Sequence, residues 1–525
     1  MDRPITTLFM LMSVDGKIST GATDELDVDK DFPKIHGVSE GLHQYYEIEQ
    51  TTDLWSLNSG RVQAKMGVNI KPLPNKSPVS FVMIDNNHLN AHGIRYFCAL
   101  SKEFVLITTN KNHPAFSHLP ERLTISFPIW CLYDIDGKGA YADTDRIVRE
   151  HVERGFNCIR FDDGAGLMHD LDGNPRGKIK LGAAFGDYDK ILRQFDAIGG
   201  TGYCDPLERM IKLAESAKKH GVYLILSSWY YLHTYWFLHD KALNDELFSI
   251  PDNEKFMAFA KFLHYIILEL KKRDLQDCIA FAEIFNEADG LYFTTAYTPE
   301  RYSDEEHKIF RENHEKAIMW LEEMHPDILF AYDSFTVETD LRVIPESVQV
   351  FNFHSYYLWS IYSKTAEESS DCFTPAVTAE EARAAHTSRR DEIEENGWYQ
   401  RIARYSGLIP DMIPTLEDRL ESRLQREFDR YLNKAYIAVD TVKKIRERFP
   451  DVPIVSGEGV TYIGSKELLW EEHSELYWKL LEEVAKKYRE IGIWGTVVRT
   501  CSGPEDPSWN SVPEKLLKIN RAFLG

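Results

Sequence analysis

The sequence predicts an α/β chain: a (β/α)8 TIM barrel preceded by a small N-terminal α/β segment. Three observations carry that expectation. From Leu123 onward, short apolar runs alternate with helical stripes at the spacing of a parallel barrel. Two of those runs lead to glutamates, Glu287 and Glu458, where a barrel places its chemistry. Before about residue 120 the rhythm is different. Two domains follow, 1–120 and 121–525, the second with a long insertion around 360–414.

In the first segment, Thr7 to Val14 is an apolar run closed by Asp15 and Gly16. Ser80 to Ile84 reads as a strand, Leu89 to Leu100 as a helix and Glu103 to Thr108 as another strand. The barrel strands are then expected at Ile125–Tyr133, Phe156–Phe161, Val222–Leu226, Ile279–Phe285, Ile328–Tyr332, Val348–Phe353, Ile454–Val455 and Ile493–Val497. The helix from Leu207 to His220 ends at Gly221, and Phe256, Phe259, Leu263, Ile266, Ile267 and Leu270 form one long apolar stripe. His307–Met324, Leu416–Phe449 and Lys466–Tyr488 supply later helices, and Ser511, Pro513 and Glu514 give a capping-box pattern for the last.

A net charge of -22 argues against a nucleic-acid partner. The seven cysteines have no metal-ligand spacing and read as small buried hydrophobes. Asp170, Asp172 and Asn174 open like a calcium loop, but Pro175 stands where that loop needs glycine and Leu181 where it needs glutamate, so no metal is expected. The N-terminal apolar run is too short to span a membrane and has no cleavage region, which predicts a cytoplasmic protein without a membrane partner.

Two resemblances extend this reading. Met12-Ser13-Val14-Asp15-Gly16-Lys17-Ile18, Asn58-Ser59-Gly60-Arg61 and the span from Asp85 through Ala115 resemble the NADPH-dependent pyrimidine reductase domain of riboflavin biosynthesis, which has a dihydrofolate-reductase-like fold. No glycine-rich phosphate loop occurs in the first 120 residues, so no cofactor is expected. Residues 123–525 resemble the cellulase-like retaining glycoside hydrolases of clan A. The resemblance rests on Asn286-Glu287 at the fourth strand and Glu458 at the seventh, with Arg160 ending the second, His354 and Tyr356 following the sixth, and Trp494 in the eighth.

What the resemblance implies is hydrolysis of a β-linked O-glycosidic bond with retention. Glu287 would be the acid/base, Glu458 the nucleophile and Asn286 the partner of the sugar 2-hydroxyl. Arg160 and Tyr356 would hold Glu458, with His354 beside them. Trp494 would stack a sugar. Trp229 and Tyr230, in a dense aromatic run, are further candidate platforms, and Asp162, Asp163 and His169 are candidates for binding hydroxyls. The expected partner is an oligosaccharide or glycoconjugate. A non-catalytic carbohydrate-binding barrel and a reductase acting through the first segment are the alternative functions.

Overall fold

The computed structural model describes residues 55–525, apart from 73, 111–112, 114–119, 192–197, 230–236, 252, 290–302, 375, 386–395, 460–464, 498 and 501. Two compact units divide the chain, Met1–Glu121 and Arg122–Gly525.

In the first unit, β1 (Trp55–Ser59), β2 (Ser80–Ile84) and β3 (Phe104–Ile107) form a parallel sheet in that order. The helix Ala91–Leu100 starts where the Asn90 side chain accepts from the Gly93 amide at 2.9 Å. Val68, Met83, Leu89, Ile94 and Phe97 make the core. The Thr7–Val14 run and the motif at 12–18 lie outside the described residues.

The second unit is the predicted barrel. Its strands are β4 (Leu123–Ser126), β5 (Cys158–Asp162), β8 (Tyr223–Ser227), β9 (Ile279–Glu283), β10 (Phe330–Ser334), β11 (Val350–Ser355), β12 (Ile454–Gly459) and β13 (Gly495–Val497). They are parallel and close in chain order, β13 pairing with β4. A hairpin of β6 (Ile179–Leu181) and β7 (Gly202–Cys204) stands outside the ring.

The helices form where apolar stripes and caps put them. Pro206–His220 is capped by Asp205 and stopped by Gly221 at φ 68°. All six members of the stripe on Lys255–Lys271 are buried. Ser303 and Glu306 build a reciprocal capping box for Asp304–Met324.

Two expectations change. The first strand ends at Ser126 because Pro128 has no amide hydrogen for a ladder, and Phe127 to Tyr133 instead form a buried loop. Ser511 does not cap the last helix: its hydroxyl donates to the Pro507 carbonyl, closing the short helix Pro507–Ser511. The insertion, for which no secondary structure was expected, contains in its described parts the helices Trp359–Glu368, Ala379–Ala385 and Asn396–Ser406 and an antiparallel bridge between Phe373 and Leu408.

Candidate active site

The carboxyl ends of β5, β9, β10, β11 and β12 bring one polar cluster together, as parallel barrels do. Glu287 lies four residues beyond β9 and adopts φ 52°, a left-handed conformation that costs a side-chain-bearing residue energy. Glu458 lies within β12. His354 lies where the β11–β12 register shifts, between Phe353 and His354. Gly457 is required there: a Cβ would stand 2.2 Å from the Asn352 side chain, which passes it to reach Glu283.

Arg160 is the hub. Fully buried, it reaches Glu458 Oε1 at 2.7 Å, Glu283 Oε2 at 2.8 Å and Asp333 Oδ2 at 2.7 Å. It also donates to Asn286 Oδ1 at 2.7 Å and Ser227 Oγ at 3.2 Å. Its planar fork suits this work, since separate N–H groups serve separate carboxylates. The Asn286 amide is thereby oriented, its oxygen toward Arg160, and its buried Nδ2 has no hydrogen-bond partner among the described residues. A donor held this way is ready for a hydroxyl.

His354 bridges the carboxylates. Nδ1 is 2.6 Å from Glu287 Oε1, and Nε2 is 3.0 Å from Asp333 Oδ1 and 3.7 Å from Glu458 Oε1. Tyr356 donates to Glu458 Oε2 and, at 3.3 Å, to Glu287 Oε1.

The two glutamates are driven apart in acidity. Burial raises Glu287, and the His354 hydrogen bond only partly opposes it. Burial is also the largest influence on Glu458, but the His354 and Arg160 charges and the Tyr356 hydroxyl outweigh it and hold that carboxyl below its ordinary range. For His354, burial is overcome by Asp333 and Glu458, which raise it well above an ordinary imidazole. Burial pushes Asp333 up to about 7, and Glu283 adds to the rise against the opposing effects of His354 and Arg160. A shift of two neighbouring carboxyls in opposite directions is the pattern that suits acid and anion to separate tasks.

Among the described residues, Glu287, His354 and Glu458 are the one group with ligand atoms within 4.8 Å of one another. Nδ1 of His354 is committed to Glu287 and Nε2 faces carboxylates, so the imidazole presents no lone pair to a cation in this arrangement.

The other candidates fall elsewhere. Trp229 is 2% exposed, with the Arg160 guanidinium 4.8 Å from its ring and Phe127 packed at 5.4 Å, so it supports Arg160 where an open platform was expected. Trp494 precedes β13, at the amino end of the barrel, and packs against Phe281 at 5.9 Å, because the eighth strand begins later than predicted. Asp162 accepts from the Tyr133 hydroxyl and the Gly164 amide. Asp163 accepts from Ser228 and the Ala165 amide, and burial, with Asp162 adding to it, pushes it up to about 8. Both are fully buried and brace their own loop. His169 packs on Tyr265, and the charges that act on it are Glu269, Lys272, Asp170 and Arg176, none of them in the cluster. Tyr230 lies outside the described residues.

Glu283, Asp333, Asn352 and Ser227 complete the cluster and were not foreseen. Their signal was polarity inside apolar runs, as in IAFAE, FAYDS and VFNFHS: a charge in a buried strand requires a partner.

No family model and no curated protein matches the chain. Solved structures do. A putative glycoside hydrolase from Parabacteroides distasonis superposes with TM-score 0.53 at 16% identity, covering 77% of this chain and 93% of that one. An endo-beta-mannanase/endo-beta-glucanase from Prevotella bryantii gives TM-score 0.43 at 11% identity over 89% of this chain and 63% of that one. A glycoside hydrolase family 5 enzyme from the same organism gives 0.40 at 12% over 78% and 98%. The first likeness shows the barrel fold. The comparisons lend the reductase resemblance of the first unit no support.

Proposed function

We propose that the barrel is a glycoside hydrolase that cleaves a β-linked O-glycosidic bond with retention. The observation that carries this reading is the pair Glu287 and Glu458, opposite in acidity, with an oxygen of each within 4.8 Å of the other. Carboxyls about 5–5.5 Å apart suit a covalent intermediate, whereas inversion needs about 6.5–9.5 Å to admit a water.

Glu287 gives its proton to the glycosidic oxygen while a Glu458 oxygen bonds to the anomeric carbon. Arg160 and Tyr356 hold Glu458 ionised and aimed. Asn286 Nδ2 donates to the sugar 2-hydroxyl. Glu287, now a carboxylate, takes a proton from water, whose oxygen displaces Glu458. Each step breaks one C–O bond and forms another. The substrate class is an oligosaccharide or glycoconjugate.

The test is incubation with a panel of activated 2-deoxy-2-fluoro glycosides, intact mass and peptide mapping, followed by proton NMR of the product anomer. A sugar on Glu458 and a first-released anomer of retained configuration are expected. Inverted first product would overturn retention. Glycoside binding with no adduct and no turnover across the panel would favour a non-catalytic carbohydrate-binding barrel.

A further inference from the structure

The two-glutamate mechanism leaves two central carboxylates without a role, Glu283 and Asp333, and of these Asp333 is the one that meets His354. Asp333, in β10, is fully buried and touches both halves of the machinery. Oδ2 accepts from Arg160 at 2.7 Å and lies 3.4 Å from the Glu287 amide, while Oδ1 stands 3.0 Å from His354 Nε2. The other ring nitrogen, Nδ1, is 2.6 Å from Glu287 Oε1. Nε2 therefore faces carboxylate oxygens, Asp333 at 3.0 Å and Glu458 at 3.7 Å, without a well-aligned hydrogen bond to either. A lone pair turned toward them would be repelled. The hydrogen belongs on Nε2, and Nδ1 is left to share one proton with Glu287.

We propose that Asp333 is a positioning residue of the acid/base: it holds His354 with Nε2 protonated, so that His354 and Glu287 carry the catalytic proton as a pair. This rests on the glycosidase reading above. In the first step the pair's proton passes from Glu287 to the glycosidic oxygen as the C1–O bond breaks and Glu458 bonds to C1. The pair is then a carboxylate beside a neutral imidazole. In the second step water returns a proton to Glu287 and gives its oxygen to C1 as the bond to Glu458 breaks. Asp333 gains and loses no proton in either step.

The groups facing the pair are Arg160 from β5, Asp333 from β10, Tyr356 after β11 and Glu458 from β12, and Glu283 from β9 lies behind Arg160. On the alkaline side, where Asp333 is ionised, its charge favours the protonated pair. Removing that charge loosens the proton.

The experiment compares wild type and D333N in kcat/KM against pH, using the phenyl and 2,4-dinitrophenyl glycosides of the sugar that labels Glu458. The alkaline limb of D333N should fall by about one pH unit, so that the phenyl glycoside slows about tenfold at pH values on that limb. The dinitrophenyl glycoside, whose leaving group needs no proton, should slow much less. An unmoved limb, or equal losses on both glycosides, would overturn the proposal. Nitrogen-15 NMR of histidine-labelled wild-type protein decides independently of how D333N folds: the resonance lost in H354Q should report a protonated Nε2, and a bare Nε2 would refute the assignment. If no sugar labels Glu458, the glycosidase reading is what fails, and the NMR result still decides the state of His354.

Discussion

Replacing Arg160 with Met would leave Glu283, Asp333 and Glu458 facing one another with no guanidinium between them. Removing one partner of a buried ion pair costs about 3–5 kcal/mol, because the abandoned charge stays in a medium that solvates it poorly. Here three carboxylates are abandoned, and they respond by taking up protons. The sign follows from that response. Carboxyls raised in the folded variant contribute stability below their unfolded pKa and lose it as pH rises through the raised value. The destabilisation should therefore be largest above neutrality and shrink in acid. Arg160→Lys keeps one charge but not the fork. Each carboxylate left without its charge-assisted bond costs about 1.5–3 kcal/mol, so this variant should lie between Met and wild type. Urea unfolding from pH 4 to 8 measures the first effect. The rate of covalent adduct formation over the same range measures the second, since only ionised Glu458 reacts. Labelling slows about tenfold for each pH unit by which the Glu458 pKa rises above the pH of the assay. An R160M protein within about 1 kcal/mol of wild type at neutral pH, labelling with an unchanged pH profile, would refute the account of Arg160 as the hub.

Glu287→Gln should lower kcat/KM for poor leaving groups by about 10²–10⁴ while sparing kcat/KM for activated ones, whose kcat still falls because water loses its base, and a leaving-group series measures both. Tyr356→Phe removes a donor from the Glu458 carboxylate, so the acid limb of adduct formation should move to higher pH by about one unit. His314 gives a test away from the site. Both ring nitrogens lack partners among the described residues, the ring stacks on Phe256 at 4.4 Å, and burial pushes it down to about 3. Its contribution is present above the unfolded pKa of about 6.5 and is lost as pH falls toward the folded value, roughly 2 kcal/mol by pH 5. His314→Phe should remove that share of the acid sensitivity in urea unfolding, and an unchanged slope would exclude His314 as its source.

The barrel was legible because periodicity and length are local properties. Each of the eight strands lies where an apolar run predicted it, and the errors are at the ends, as at Ser126, where proline chemistry decides the boundary, and at Trp494, where the strand starts late. Asn286, Glu287, Arg160, His354, Tyr356 and Glu458 converge because strand ends in a closed parallel barrel share one rim. The aromatic and aspartate candidates had no such constraint. A tryptophan reads the same in a sequence whether its ring faces a cleft or, as Trp229 does, a guanidinium.

What holds Glu287 and Glu458 was not legible, for a different reason. Arg160 binds residues 123, 173 and 298 positions away in sequence, and no window of sequence spans such distances. A charged residue in a buried strand announces that it has a partner without saying which. Glu283 could have faced Arg160, His354 or a lysine, and only ring closure decides. The electrostatics then follow from that closure. Three carboxylates meet one guanidinium, and the imidazole of His354 lies between Asp333 and Glu287. Glu458 takes a charge-assisted bond from Arg160 and the shorter bond from Tyr356, whereas Glu287 meets an imidazole that also lies against Asp333 and only the longer Tyr356 contact. Those unequal contacts are what raise one of two chemically identical carboxyls and lower the other.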